Sequence, residues 1–463
     1  MGSERNKPPV ASQKDHTRVV HGNSTEDPWF WLRYREDPEV LEYLRAENDW
    51  TAQATAHLEE LRADLFGEIK GRIKEEDQSL PVPKGPWEYR VRTGEGLQYP
   101  IHVRQQRGLP ESEEVLLDEN QLAVGQEYFA LGDLAVSPDH RLLAYTVDTD
   151  GNEEYELQVM DLERREIVDS GINGLSYGLV WANDSQTLFM VLTDDARRPD
   201  RVIRHVVGTD SQLDVTIFNE DDEKFWVGIG GTRSERYVVV GSESKMSSEY
   251  WLLDADSPNS ELLIVEPRQE GHEYRISHQG DRLLILTNWD ALDFRLMETP
   301  VDQLGSSNWQ EIVPHREGVR LEDIDAFENF MVITERREGV PVLRICDHKR
   351  GDEFEIPMAE PVFEAGSGAN AEYSTRVFRY NYTSLVTPAS TYEINIDSRE
   401  QVLLKQQPVL GDTDLSMYRS DRLWATSIDG AKVPMSVVWR PDAVTWPAPV
   451  SYTHLRAHET VLD

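Results

Sequence analysis

Leu134-Ala135-Val136-Ser137-Pro138-Asp139 and, two residues on, Leu142-Leu143-Ala144-Tyr145-Thr146-Val147 decide the fold. Two apolar runs of strand length flank a polar turn, the pattern of a β-hairpin. The figure returns four times. Leu179-Val180-Trp181-Ala182-Asn183-Asp184 precedes Thr187-Leu188-Phe189-Met190-Val191-Leu192, and Val227-Gly228-Ile229-Gly230 precedes Tyr237-Val238-Val239-Val240-Gly241. Tyr274-Arg275-Ile276-Ser277 precedes Leu283-Leu284-Ile285-Leu286, and Ile324-Asp325-Ala326-Phe327 precedes Phe330-Met331-Val332-Ile333. The units start at 134, 179, 227, 274 and 324, a period of 45–50 residues. Each continues through further β-type residues, such as 155–160. A four-stranded unit at this period is a propeller blade. A blade cannot cover both its faces alone, so the array closes into a ring. Units near 86 and 370 fit less cleanly; counting them gives seven blades and an all-β fold.

The chain has 463 residues, 85 Asp+Glu against 47 Lys+Arg, a net charge of −38 and one cysteine, Cys346. One cysteine excludes an internal disulfide framework. No Cys/His cluster has zinc spacing, and no motif calls for a cofactor. The acidic balance argues against nucleic acid and against an anionic membrane surface, and favours cationic partners. No apolar stretch reaches membrane-spanning length, and residues 1–26 are polar without a signal-peptide run. The cytosol is the expected compartment. Asn-x-Ser/Thr sites at Asn23, Asn183 and Asn381 then read as chance matches.

Outside the repeat the chain changes character. Residues 27–76 read as helix: Asp37-Pro38 is a helix start, and Leu58, Leu61, Leu65, Phe66, Ile69 and Ile73 recur at helical spacing. That apolar face must pack against something outside the segment. Beyond residue 411, 424–428 and 433–439 flank Asp429-Gly430, a strong hairpin signal out of phase with the blades.

Gly174-Leu175-Ser176-Tyr177-Gly178 matches the nucleophile-elbow pattern, but a strand follows it where the elbow needs a helix. Ser176 is therefore expected to be an ordinary blade residue. His102, His140, His205, His272, His278, His315 and His348 are scattered and read as surface positions rather than bases. His454 and His458 have metal-binding spacing without a helical framework. Gly228, Gly230 and Gly231 lack the rest of a dinucleotide fingerprint and read as bulge or packing glycines. One pattern points to function. Asp148, Asp150, Glu153, Glu154, Asp194, Asp195, Glu243, Asp290 and Asp293 fall in or beside loops between second and third strands, which share one face of the disc. Together they would make that face strongly negative and steer cationic ligands.

Several stretches resemble oligopeptidase B, a branch of the prolyl oligopeptidase family. They include Asp27-Pro28-Trp29-Phe30-Trp31-Leu32, Gly71-Arg72-Ile73-Lys74, Tyr99-Pro100-Ile101, Ser137-Pro138-Asp139, Asp222-Glu223-Lys224-Phe225-Trp226-Val227-Gly228, Arg379-Tyr380 with Thr383-Ser384-Leu385, and Asp429-Gly430 with Val433-Pro434. The likeness runs in order from about residue 20 to 450. It implies a cytosolic serine peptidase that cuts short peptides after Arg or Lys, with a seven-bladed propeller restricting entry to an α/β-hydrolase domain. The family's specificity carboxylates and its Ser, Asp and His belong to that domain, so no triad residue is carried over here.

Five segments are expected. Residues 1–26 are disordered, 27–76 form a helical extension belonging with the catalytic domain, and 77–410 form the propeller. Residues 411–450 are the truncated start of the α/β-hydrolase domain, and 451–463 are a foreign, artefactual tail. The expected partners are short basic peptides and the missing hydrolase domain, and the expected activity of the chain alone is none. The alternative is a stand-alone propeller that binds a protein or peptide.

Overall fold

A computed structural model describes residues 7–411 and 413–443, in two compact units divided at Lys74 and Glu75. The tail 451–463, with His454 and His458, lies outside the described residues.

In the first unit, 17–26 departs from the disorder expected of 1–26. Thr17–Val20 pairs with Asn23–Glu26 through His21-Gly22, whose φ angles of 51° and 80° suit a primed two-residue turn. The turn chemistry lies in the backbone freedom of Gly22, which polarity alone does not reveal. Helix α1, Pro38–Thr55, starts as expected, with Asp37 accepting from the Glu39 amide at 2.9 Å. A single 3-10 turn separates it from α2, Glu59–Gly71. No residue of α2 is buried; Leu61, Leu65, Phe66 and Ile69 are 53%, 47%, 70% and 61% exposed.

The second unit holds seven antiparallel blades in ring order, spanning 77–118, 130–170, 175–219, 226–266, 274–313, 319–355 and 363–406. The innermost strands of blades 2 to 7 are Ala130–Val136, Leu175–Trp181, Trp226–Gly231, Tyr274–Gln279, Val319–Ala326 and Phe363–Ser367. Blades 1 and 7 fit the repeat less cleanly for visible reasons. The inner strand of blade 1 is broken at Leu80-Pro81 into Asp77–Gln78 and Val82–Lys84. In blade 7 a long loop, 368–376, replaces the tight first turn.

The apolar runs of the second strands have a geometric origin. Alternate side chains point to opposite sheet faces, and both faces are covered by neighbouring blades. Leu143 and Tyr145 pack toward Leu116 and Leu117 of blade 1, while Ala144 packs toward Leu175 and Trp181 of blade 3. Leu188 and Met190 face blade 2, and Phe189 joins Val227, Val238 and Val240 of blade 4. Leu283 and Ile285 pack with Tyr250 and Leu252, and Leu284 and Leu286 pack with Met331 and Ile333. Val332 and Phe330 meet Phe378, Tyr380 and Ile394 of blade 7. Cys346 is buried with Met331 and Ile333 between blades 5 and 6, and burial pushes its thiol up to about 12.

These clusters fill six interfaces between neighbouring blades. The seventh, between blades 7 and 1, has no apolar cluster among the described residues. It is held by Lys405 Nζ on Asp77 Oδ2 at 2.7 Å, Arg379 on the Pro81 carbonyl at 2.5 Å, and Arg107 on Glu372 at 2.7 and 3.3 Å.

Antiparallel order places the second-to-third loops and the blade-to-blade connections on one face of the disc, and the remaining turns on the other. The chain enters and leaves the ring on the first of these, the entry face. The terminal hairpin, Arg419–Thr426 with Lys432–Trp439, lies there too: Arg422 donates to the Glu338 carbonyl and Ser420 to Glu360 at 3.3 Å. Its turn is a five-residue loop, 427–431, in which Asp429 caps the Ala431 amide and Gly430 takes φ 89°. The described helices include none long and apolar enough to cross a membrane.

Two predictions follow from the packing. Hydrogen exchange should be about tenfold faster in blades 1 and 7 than in blades 3 to 5, and Lys405→Ala should widen the gap; uniform exchange would contradict a weak seam. Glu335 is fully buried among Arg316, Arg337 and Arg344. Burial alone would raise its carboxyl, but hydrogen bonds from Arg337 and Arg344 outweigh this and hold it below the usual range. A depressed folded-state pKa stabilises above the unfolded value, and the contribution is lost as pH falls through the folded one. Glu335→Gln should therefore cost about 3 kcal/mol at neutral pH, with the gap shrinking below about pH 4 in denaturant titrations.

Candidate functional site: the propeller channel

The inner strands line a channel marked by two cavities that share Gly231, Thr232 and Arg233. One, of about 670 Å³, is lined by blades 4 to 6; the other, of about 700 Å³, by blades 1 to 4 and Asn370. Gly228 and Gly230 belong to the first. They are neither bulge nor packing glycines: the register from Trp226 to Gly231 is unbroken, and a Cβ on either would meet open space. Side chains here would narrow the channel. Gly178 is different, since its φ is 119° and a Cβ would sit 2.9 Å from Ile229 and Val191.

One end of the channel is bridged. Arg233, in the first turn of blade 4, donates to the Asn370 carbonyl at 2.9 Å and to the Ala326 carbonyl at 3.0 Å. It also pairs with Asp325 and lies 4.3 Å over the Phe327 ring. Glu235 reaches Lys84 of blade 1 at 3.3 Å. The 368–376 loop completes the bridge: Tyr373 accepts the Gly280 amide at 2.8 Å, its carbonyl accepts Glu328 N at 3.1 Å, and Glu372 holds Arg107. All these groups lie on the turn face, which leaves the entry face as the end without such a bridge among the described residues. Neither Arg233 nor this loop was legible in the sequence; the only trace was the poor fit of the repeat near 370.

The nine carboxylates do fall in or beside second-to-third loops of blades 2 to 5, but they divide by role. Asp148 is 2% exposed and accepts the amides of Asp150, Gly151 and Glu153. Burial opposes its charge, yet those amides hold its carboxyl below the usual range. Asp194 caps Ala196 and Arg198 and pairs with the Arg198 side chain at 3.0 Å. Asp293 accepts Gly318 N, Glu154 faces Arg197 at 3.8 Å, and Glu243 takes the Tyr250 hydroxyl. These five build loops or hold partners. Asp150, Glu153, Asp195 and Asp290 are exposed and free of side-chain partners among the described residues. Asp323, in the channel wall, is exposed to the channel, yet the protein crowded around it pushes its carboxyl up, with Asp325 adding to the effect.

Ser176 sits within the inner strand of blade 3, with no histidine bonded to it and no helix behind it, as its context implied. The histidines are less exposed than expected. His205 is buried between Asp169 at 2.9 Å and Asp214 at 2.7 Å, His272 meets Thr287, and His102 meets Glu119. Their ring nitrogens can satisfy polar groups between strands, a use that sequence position does not disclose. Ser234 Oγ lies 2.7 Å from His278 Nδ1, but burial lowers the basicity of that ring and no carboxylate orients it. The described residues thus bring together no Ser-His-carboxylate triad.

The fold is a seven-bladed propeller with a bridged channel and an out-of-phase hairpin on its entry face. The family model for the prolyl oligopeptidase N-terminal beta-propeller domain matches residues 8–407, and the chain belongs to that family. It is 36% identical over 456 residues to dipeptidyl aminopeptidase BI of Pseudoxanthomonas mexicana, covering 94% of this chain and 63% of the relative. It is 32% identical to protease 2 of Moraxella lacunata, covering 96% and 65%. Oligopeptidase B from Trypanosoma brucei, with covalently bound antipain, superposes with a TM-score of 0.87 at 29% identity, covering 96% of this chain and 66% of that one. The chain thus spans about two thirds of the length of the relatives it matches.

Arg233→Ala should leave Asp325 buried without its cation and cost about 3 kcal/mol, read as a lower melting temperature. Arg233→Lys should recover part of the loss, because the charge returns without the guanidinium fork. An unchanged melting temperature for Arg233→Ala would count against the bridge.

Proposed function

We propose that this propeller restricts and steers peptide access to a serine-peptidase centre carried by an α/β-hydrolase portion, which cleaves short peptides after Arg or Lys. The observation that carries the reading is a channel bridged on the turn face together with an entry face whose second-to-third loops carry the free carboxylates Asp150, Glu153, Asp195 and Asp290. A narrow, one-ended route admits unstructured peptides, and the free carboxylates favour cationic ones. The relatives' names support peptidase chemistry: one is a dipeptidyl aminopeptidase, and another is an oligopeptidase caught with antipain attached. The exposed face of α2 and the exposed Trp424, Val433 and Val438 of the terminal hairpin are the surfaces we assign to packing against the hydrolase portion. The hairpin also weighs against a stand-alone binding module, since a self-contained ring has no use for it. A cytosolic setting belongs to the same proposal.

The 463-residue chain should not hydrolyse Arg or Lys peptide substrates, and turnover abolished by Ser176→Ala would overturn that. A labelled Arg-containing peptide should associate more slowly as salt rises. Neutralising Asp150, Glu153, Asp195 and Asp290 to their amides should slow association about tenfold at low salt and little at high salt. A rate indifferent to salt would sink the steering.

A further inference from the structure

Arginine is almost fully paired in this acidic ring. Within 77–406, only the side chains of Arg141, Arg275 and Arg320 make neither an ion pair nor a hydrogen bond among the described residues. Two of the three line one cavity. Arg275, on the inner strand of blade 5, and Arg320, on that of blade 6, share a cavity of about 260 Å³ with Ser244, Tyr250 and Phe294. Both stand near the start of their strands, and so at the entry-face end. Ser244 and Phe294 come from second-to-third loops on that same face. Arg320 lies 4.9 Å over the Phe294 ring, which props its guanidinium from one side and leaves its donors unused.

The acids of the same wall are engaged. Glu322 accepts Arg336 Nε at 2.7 Å, Glu273 accepts Asn288 at 3.3 Å, and Glu243 takes the Tyr250 hydroxyl. Neither arginine comes within ion-pair distance of these carboxylates or of Asp323. Both guanidinium groups line one cavity from exposed positions without an ion pair or hydrogen bond among the described residues, although Arg275 acts through space on Asp323, so their donors stay open to an anion from outside. A guanidinium offers a planar fork that matches a carboxylate in two-point fashion.

We propose that Arg275 and Arg320 form a receptor for the C-terminal carboxylate of a peptide entering from the entry face. This rests on the peptide-access reading above and deepens it. The exposed acids attract the peptide's cationic groups, and the arginine pair anchors its one obligatory anion. Anchoring the chain end at a fixed place on blades 5 and 6 would select peptides by the length beyond the cleavage point.

The test is isothermal titration of the 463-residue chain with Ala-Ala-Lys-Ala and with its C-terminal amide. The free acid should bind about tenfold more tightly, the range expected for one charge-assisted pair in a partly open site. The double variant Arg275→Gln/Arg320→Gln should abolish that preference while keeping the wild-type melting curve, and Arg275→Lys/Arg320→Lys should retain part of it. Equal binding of acid and amide would overturn the receptor but leave peptide access standing. A preference surviving in the Gln variant would overturn the assignment to these arginines. An amide-capped peptide bearing a Glu side chain that bound as well as the free acid would overturn the terminal assignment. Binding of neither peptide would sink both readings.

Discussion

A four-stranded blade buries nothing until it has neighbours, and every other feature of this propeller depends on that constraint. Six interfaces meet it with alternating apolar side chains from the second strands, each residue committed to one neighbour. The seventh meets it with Lys405, Arg379 and Arg107. Blades 1 and 7 are each built from one continuous stretch of chain, so no strand is shared between them. The closure of the ring therefore rests on polar contacts, each worth little when partly exposed. The 368–376 loop and Arg233 add ties across the turn face, far from where the chain enters and leaves.

The negative charge has two uses that composition cannot separate. Part of it is architectural. Asp148, Asp161, Asp184 and Asp194 accept amides of their own turns, and residues with positive φ such as Arg165 and Ser185 complete the same turns. Glu335 and Asp347 are buried acids held by arginines. Only what remains after these commitments is available to a ligand, and on the second-to-third loops of blades 2 to 5 it comes to four carboxylates. Within 77–406 the arginines follow the opposite logic: among the described residues all but Arg141, Arg275 and Arg320 are consumed, and the last two share a cavity.

The blades were legible because their signal is periodic and local. Strand alternation, Asp and Gly turns and the 45–50-residue spacing are properties of short segments. The seven-blade count, the helix start at Asp37-Pro38 and the terminal hairpin followed from the same kind of reading. The first ordered hairpin, at Thr17–Val20 and Asn23–Glu26, was missed because exposed polar strands carry no apolar alternation. The histidines were misplaced because burial of a ring depends on partners such as Asp169 and Asp214, distant in sequence from each other.

Sequence alone determined that this chain is an acidic ring of blades with a helical extension and a hairpin that does not belong to the ring. Those are consequences of local periodicity and of the need to cover both faces of each sheet. Tertiary structure alone decided which of nine loop carboxylates stay free, that the channel is bridged at one end, and that Arg275 and Arg320 share a cavity. Each of these depends on residues of different blades meeting across the ring, and no spacing along the chain encodes where a closed ring brings its parts together.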